Sequence, residues 1–153
     1  ERASHLGEHA GEMSFPGGGR EPEDADLEAT ALREAEEEIG LRPSEASVVS
    51  TLDDIYTVTD YVVRPFVATI PDRAYTPHEA EVAEIAILDV ADLLDPENYE
   101  ADDRVHPEYG EAHIDYFHVG DHTVWGATGR ILAQLLSVTA GWTRPTDTGG
   151  ERA

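Results

Sequence analysis

The strongest constraint in this sequence is one helical stretch loaded with carboxylates and entered from a run of glycines. Across residues 24–40 Ala, Leu, Glu and Arg dominate, Asp24 or Asp26 can cap the start, and Gly40 supplies a C-terminal stop. At about 100° per residue, Glu34, Glu37 and Glu38 share an arc about 100° wide. Leu27, Ala31, Leu32, Ala35 and Ile39 form the neighbouring apolar arc, so Glu38 stands at the border of the buried face. Three carboxylates crowded there repel one another and lose solvation unless a cation neutralises them. Oxygen ligands of this kind select Mg²⁺ or Mn²⁺ over zinc. Arg33, four residues before Glu37, can hold that carboxylate in place. Gly17-Gly18 let the backbone approach a ligand closely and free a carbonyl to face a metal. Taken alone, the helix also fits a solvated acidic face.

The rest of the composition narrows the partners. The chain has 153 residues, one domain's worth, with 33 acids against ten basic residues, all Arg, for a net charge of −23. Such a charge excludes nonspecific binding to nucleic acid or anionic lipid. Acids dispersed along the whole chain suit concentrated salt, where self-repulsion is screened. A salt-loving source and a cytoplasmic location are therefore expected, an ordinary acidic protein being the alternative. The absence of cysteine removes disulfides, thiolate zinc sites and thiol nucleophiles. No apolar run approaches the ~18 residues of a membrane span, and no signal-peptide pattern opens the chain. Glu1 is not a Met, so the natural N-terminus, including a first strand, is expected to be missing. Residues 1–142 read as one domain and 143–153 as a flexible polar tail.

Beyond the helix, 47–59 and 61–70 are strand-like, and 85–90 is a third such stretch, followed by a short helix at 91–94. A polar loop containing Pro107 leads to a hairpin of 114–118 and 122–125 around Gly120-Asp121. Residues 127–139 make a second helix with Ile131, Leu132, Leu135 and Leu136 on one face. Strands mixed with two main helices suggest α+β or an α/β/α sandwich. Phe117 and Trp125 are expected in the core, and His118 and His122 in structural or exposed positions. No Lys follows Gly17 to Gly19 to make a P-loop, and no nucleophile elbow surrounds Ser14.

Gly18, Asp24 and the string Arg33-Glu34-Ala35-Glu36-Glu37-Glu38-Ile39-Gly40-Leu41 together resemble the Nudix box, G-x5-E-x7-R-E-U-x-E-E-x-G-U. The first acid is Asp24 rather than Glu, and eight residues rather than seven separate it from Arg33. Both departures resemble the coenzyme A diphosphatase branch of Nudix hydrolases. Arg2, Ala3, Gly11, Phe15, Pro16, Gly17 and Gly18 match that branch's upstream signature, with Gly7 where a second arginine is usual. Val63-Arg64-Pro65-Phe66-Val67, Glu81-Val82-Ala83-Glu84 and Trp125-Gly126-Ala127-Thr128 extend the resemblance.

The resemblance implies an α/β/α sandwich with a mixed sheet and a strand-loop-helix box. It implies metal-dependent hydrolysis of a diphosphate, foremost coenzyme A to 4′-phosphopantetheine and adenosine 3′,5′-bisphosphate. Glu34, Glu37 and Glu38, with the Gly17 carbonyl, would hold Mg²⁺ or Mn²⁺, and Arg33 would complete the catalytic set. A box carboxylate or Glu81, with Glu84 as substitute, would take the water's proton. Arg2, Gly18, Arg20 and Arg64 would meet the small-molecule diphosphate, while His5 and His9 are either phosphate contacts or surface residues. ADP-ribose or NADH hydrolysis and a non-catalytic Nudix-like binding module are the alternatives. A homodimer is left open.

Overall fold

In the computed structural model, which describes residues 1–5, 11–57, 59–108 and 110–145, Asp26 starts the carboxylate-bearing helix. Its side chain accepts the Ala29 amide at 2.8 Å, and helix α1 runs Leu27–Ile39. Gly40, at φ +70°, turns the chain out of the helix. Its amide reaches the Glu36 carbonyl at 3.0 Å while that of Leu41 reaches Ala35 at 3.4 Å, and Leu41 is buried. Two amides from a later loop take up further carbonyls at this end: Thr76 bonds Ile39 at 3.2 Å and His78 bonds Glu38 at 2.8 Å. Arg73 adds a bond to the Gly40 carbonyl at 2.9 Å and an ion pair to Glu45 at 2.7 Å.

Between those two contacts with α1 lie four short strands. β1 (Ser47–Thr51) and β4 (Phe66–Thr69) pair antiparallel with a bulge between Val48 and Ser50. β2 (Ile55–Tyr56) pairs antiparallel with β3 (Val62–Val63). Further along, a short helix α2 (Val90–Leu94) precedes a three-stranded antiparallel sheet of β5 (Tyr99–His106), β6 (Gly110–Val119) and β7 (His122–Val124). Helix α3 (Gly126–Ala140) then packs back on β6, where Leu93, Phe117, Val124, Leu132, Ala133 and Leu136 form the main core. Burying a side chain such as Leu136 or Phe117 contributes roughly 1.5–3 kcal/mol. Gly129 allows the close approach, since a Cβ there would stand 2.8 Å from the Asp115 carbonyl oxygen.

Charge is buried in this half as well. The Asp115 carboxylate is fully buried and accepts Tyr99 Oη at 2.6 Å and two bonds from Arg144 at 2.8 Å. Burial opposes ionisation of Asp115, but Arg144 and Tyr99 prevail and hold its pKa below the usual value. Burial and the Asp115 carboxylate push the Tyr99 phenol up. Arg144, which the sequence puts in a polar tail, is thus anchored to the sheet. Residues 146–153 lie outside the described residues.

The α+β class holds, with several local differences. Every strand pair among the described residues is antiparallel; short connections, which cannot make parallel pairs, join β2 to β3, β5 to β6 and β6 to β7, and the β2–β3 hairpin itself returns the chain from β1 to β4. No parallel pair of the expected mixed sheet is present among them. Residues 85–89 are not a strand: Ile87 is exposed, none of the described residues pairs with the stretch, and Asp89 leads into α2. Conversely, the polar run before Pro107 is a full strand, paired with β6 from Tyr99↔Phe117 to His106↔Gly110. Phe117 is core, but Trp125 is exposed and stacks on Tyr116 at the start of α3.

Candidate active site

Asp24 and Thr30 are the buried polar residues around which the glycine loop and α1 are tied. Arg33 grips Asp24 with two bonds, Nε to Oδ1 at 2.9 Å and Nη2 to Oδ2 at 3.1 Å. Its Nη2 also donates to the Gly19 carbonyl at 3.0 Å, and its Nη1 reaches Glu34 at 3.1 Å and Glu37 at 3.3 Å. The hydrogen bonds from Arg33 drive the Asp24 pKa far below the carboxylate range, and Asp24 in turn raises that of Arg33. Arg33 is therefore a permanently charged brace from loop to helix, not a group that exchanges protons.

On the other side of that brace Glu38 lacks such relief. Glu38 is half-buried and its Oε1 accepts the Gly17 amide at 3.4 Å. Burial, then the adjacent Glu34 carboxyl, then the charge of Glu81 push Glu38 up to about 7 against the pull of that amide. Glu34 has a side chain only 15% exposed and lies directly against Gly18, where a Cβ would collide with its carboxylate. Glu37 is more exposed and turned toward Arg33. Glu34 and Glu38, two hard oxygen donors beside each other with Arg33 reaching only the former, fit a divalent cation.

Glu81 is fixed from both sides. Its amide bonds the His78 carbonyl at 2.9 Å, its carbonyl accepts from Ala3 at 3.0 Å, and His78 is itself tied to Glu38. Glu84, the substitute considered from sequence, instead faces His122 Nε2 at 3.4 Å. With Glu1 these two place ligand atoms within 4.8 Å of one another, a tighter convergence than the box carboxylates show among the described residues.

A family model described as the NUDIX domain matches residues 1–109. The chain belongs to the Nudix family. It is 36% identical over 147 residues to proteins named "Uncharacterized Nudix hydrolase NudL" from Escherichia coli O1:K1 / APEC and from Shigella boydii serotype 18, covering 88% of this chain and 70% of each relative. As a Nudix hydrolase it acts on pyrophosphate bonds of a small, nucleoside diphosphate-linked substrate. The family generally uses divalent metals such as Mg²⁺. Among the described residues no helix is long and apolar enough to cross a membrane.

The remaining sequence candidates separate around this Nudix box. Arg2 bridges to Val82 beside Glu81, and its buried Nε has no hydrogen-bond partner among the described residues. Arg20 donates to the Asp24 and Ala25 carbonyls at 3.3 Å, and Arg64 makes a two-bond pair with Asp54 at 2.9 and 3.0 Å. His5 is exposed; Gly7 and His9 lie outside the described residues. Sequence reasoning missed Thr30, whose Oγ1 donates to Asp24, and the Glu21 amide, which bonds Asp24 Oδ2 at 2.9 Å. A threonine three residues before Arg33, on the helix's inner side, was the available signal.

Proposed function

We propose that this Nudix hydrolase is a coenzyme A diphosphatase, splitting its substrate into 4′-phosphopantetheine and adenosine 3′,5′-bisphosphate. The observation that carries the reading is the buried Nε of Arg2, which has no partner among the described residues and lies beside the turn that holds Glu81. A donor left without an acceptor in such a place costs free energy unless a ligand supplies one, and a phosphate oxygen does so with charge. Arg2 also opens the signature that, with Phe15 to Gly18, resembles the coenzyme A branch.

Glu34, Glu37 and Glu38 would hold Mg²⁺ or Mn²⁺ together with the Gly17 carbonyl. The bound ion supplies Lewis acidity toward the phosphoryl oxygens and lowers the pKa of water. Arg33 keeps the ligand carboxylates apart and aimed, and Gly18, lacking a Cβ, leaves the Glu34 carboxylate its place against the loop. Arg20 and Arg64 stand second to Arg2 as phosphate contacts, since each guanidinium is already engaged, with the Asp24 and Ala25 carbonyls and with Asp54. Glu81, near Glu38 but outside the box, takes the proton as water attacks phosphorus and the anhydride bond breaks into two phosphate monoesters. A cytoplasmic, salt-adapted enzyme completes the proposal.

Product analysis on coenzyme A, ADP-ribose and NADH, with Mg²⁺ and Mn²⁺ in molar KCl, tests it. Coenzyme A should show the highest kcat/KM. Glu38→Gln should lower turnover by orders of magnitude while the fold persists. A higher kcat/KM for ADP-ribose or NADH overturns the substrate, and no turnover of any diphosphate overturns the enzyme reading in favour of a binding module.

A further inference from the structure

This box departs from the usual one twice, with an acid one methylene shorter and one residue more before Arg33. The structure contains a matching adjustment. Thr30 is 3% exposed, and its Oγ1 stands 2.9 Å from Asp24 Oδ2 and 3.2 Å from the Asp26 carbonyl. A buried helical threonine ordinarily returns its single proton to the carbonyl four residues back. Here the closer acceptor is a charged carboxylate, which makes the stronger bond, so the proton goes to Asp24.

Asp24 Oδ2 then receives three donors: Thr30, the Glu21 amide at 2.9 Å and Arg33 Nη2 at 3.1 Å. Its Oδ1 receives Arg33 Nε at 2.9 Å. Beyond Arg33, three contacts from Thr30, lies Glu34. A carboxylate fixed on every side gives the guanidinium one orientation, and that orientation sets where Nη1 meets Glu34 and Glu37.

We infer that Thr30 is a positioning residue whose hydroxyl seats the short Asp24 carboxylate and, through Arg33, aims Glu34 and Glu37 at the divalent cation. The inference rests on the metal-dependent hydrolase reading. It also makes residues 24 and 30 a matched pair. A glutamate at 24, although usual in the box, would drive its carboxylate into the space that the Thr30 hydroxyl fills.

Two measurements test it: Mg²⁺ binding to the full chain by calorimetry without substrate, and kcat with KM at saturating Mg²⁺. Thr30→Val keeps the shape but sets a methyl against the carboxylate. Loss of a group that orients a metal ligand typically costs 10–100-fold in affinity, so the Mg²⁺ Kd should rise about tenfold. kcat should fall about tenfold, with KM changing little, because the loss lies in ligand aim rather than substrate contact. Thr30→Ser should restore both values to within about threefold, since it returns the hydroxyl and omits only a methyl. Asp24→Glu alone should weaken Mg²⁺ binding, and Asp24→Glu with Thr30→Ala should bind better than Asp24→Glu, a coupling only neighbours show.

Wild-type Mg²⁺ affinity in Thr30→Val, or a Thr30→Ser variant as weak as Thr30→Val, overturns the inference. Should Thr30→Val fail to fold, the Asp24→Glu pair decides, and a double variant no better than Asp24→Glu overturns it. If the wild-type chain turns over no diphosphate, the hydrolase reading fails, whereas the Mg²⁺ titrations still judge Thr30 separately.

Discussion

Gly18→Ala should disable the enzyme without unfolding it. A Cβ built on Gly18 lies 2.5 Å from Glu34 Cδ and 3.0 Å from its Oε2. Ordinary contact begins near 3.4 Å, so the carboxylate must retreat by about 1 Å, a displacement that can cost about 10²-fold in rate. Its retreat is resisted, because Glu34 is mostly buried and tied to Arg33 at 3.1 Å. A hundredfold loss in kcat corresponds to about 2.7 kcal/mol of barrier. The backbone itself accepts alanine, since Gly18 is not among the glycines with positive φ. Melting should change little, because the roughly 0.4–1 kcal/mol gained by replacing Gly is offset by the displacement of Glu34. Gly19→Ala is the internal control: a Cβ there meets nothing within 4 Å, and its carbonyl can still accept Arg33. The assay is steady-state product formation at saturating Mg²⁺ for wild type and both variants, beside thermal melts. Equal activity of the two variants, at either level, would refute the steric argument.

Three further outcomes are expected. Because burial and neighbouring acids hold the metal-free Glu38 at about 7, folding takes up a proton there. This contribution to stability is present below the unfolded value near 4.5 and lost as pH rises through 7. Mg²⁺ binds the ionised form, so its apparent affinity should rise about tenfold from pH 6 to 8 with proton release; calorimetry showing a flat profile would contradict this. With a net charge of −23, repulsion should outweigh the few surface pairs, so the melting temperature should climb from low to molar KCl at fixed Mg²⁺. A flat or falling trend denies salt adaptation. Gly129→Ala, whose Cβ would press on the Asp115 carbonyl, should cost about 1–3 kcal/mol of stability by denaturant titration, against the usual helix preference for alanine.

The box was the most legible part of the sequence because its signals are local. Helix caps, a glycine stop and a 3.6-residue carboxylate arc need no knowledge of distant contacts, and α1 starts and ends close to where they place it. Glu81, with Glu84 as substitute, was singled out by family resemblance alone; no local pattern reveals that His78 ties the loop of Glu81 to the helix end or that Glu84 faces His122. The β5 strand was illegible for the opposite reason. Its polar run looks like a loop, and only the register with β6 makes it a strand. Residues 85–89 show the converse, where β-forming side chains find no partner strand among the described residues. Arg144 could not be read at all, because nothing near it in sequence reveals the buried Asp115 it answers.

The chain departs from α1 at Gly40 and returns at Thr76, bonding the same last turn, with Arg73 and Glu45 fastening the base. Everything in between, including β1 to β4, is an excursion with both feet on one spot. Lineages could lengthen, shorten or remodel it without changing the separation of Glu38 and Glu81, because that separation is set at the feet. The same arrangement makes the β2–β3 tip a natural place to graft a label or a second domain, one that reports on the protein while leaving its chemistry in register.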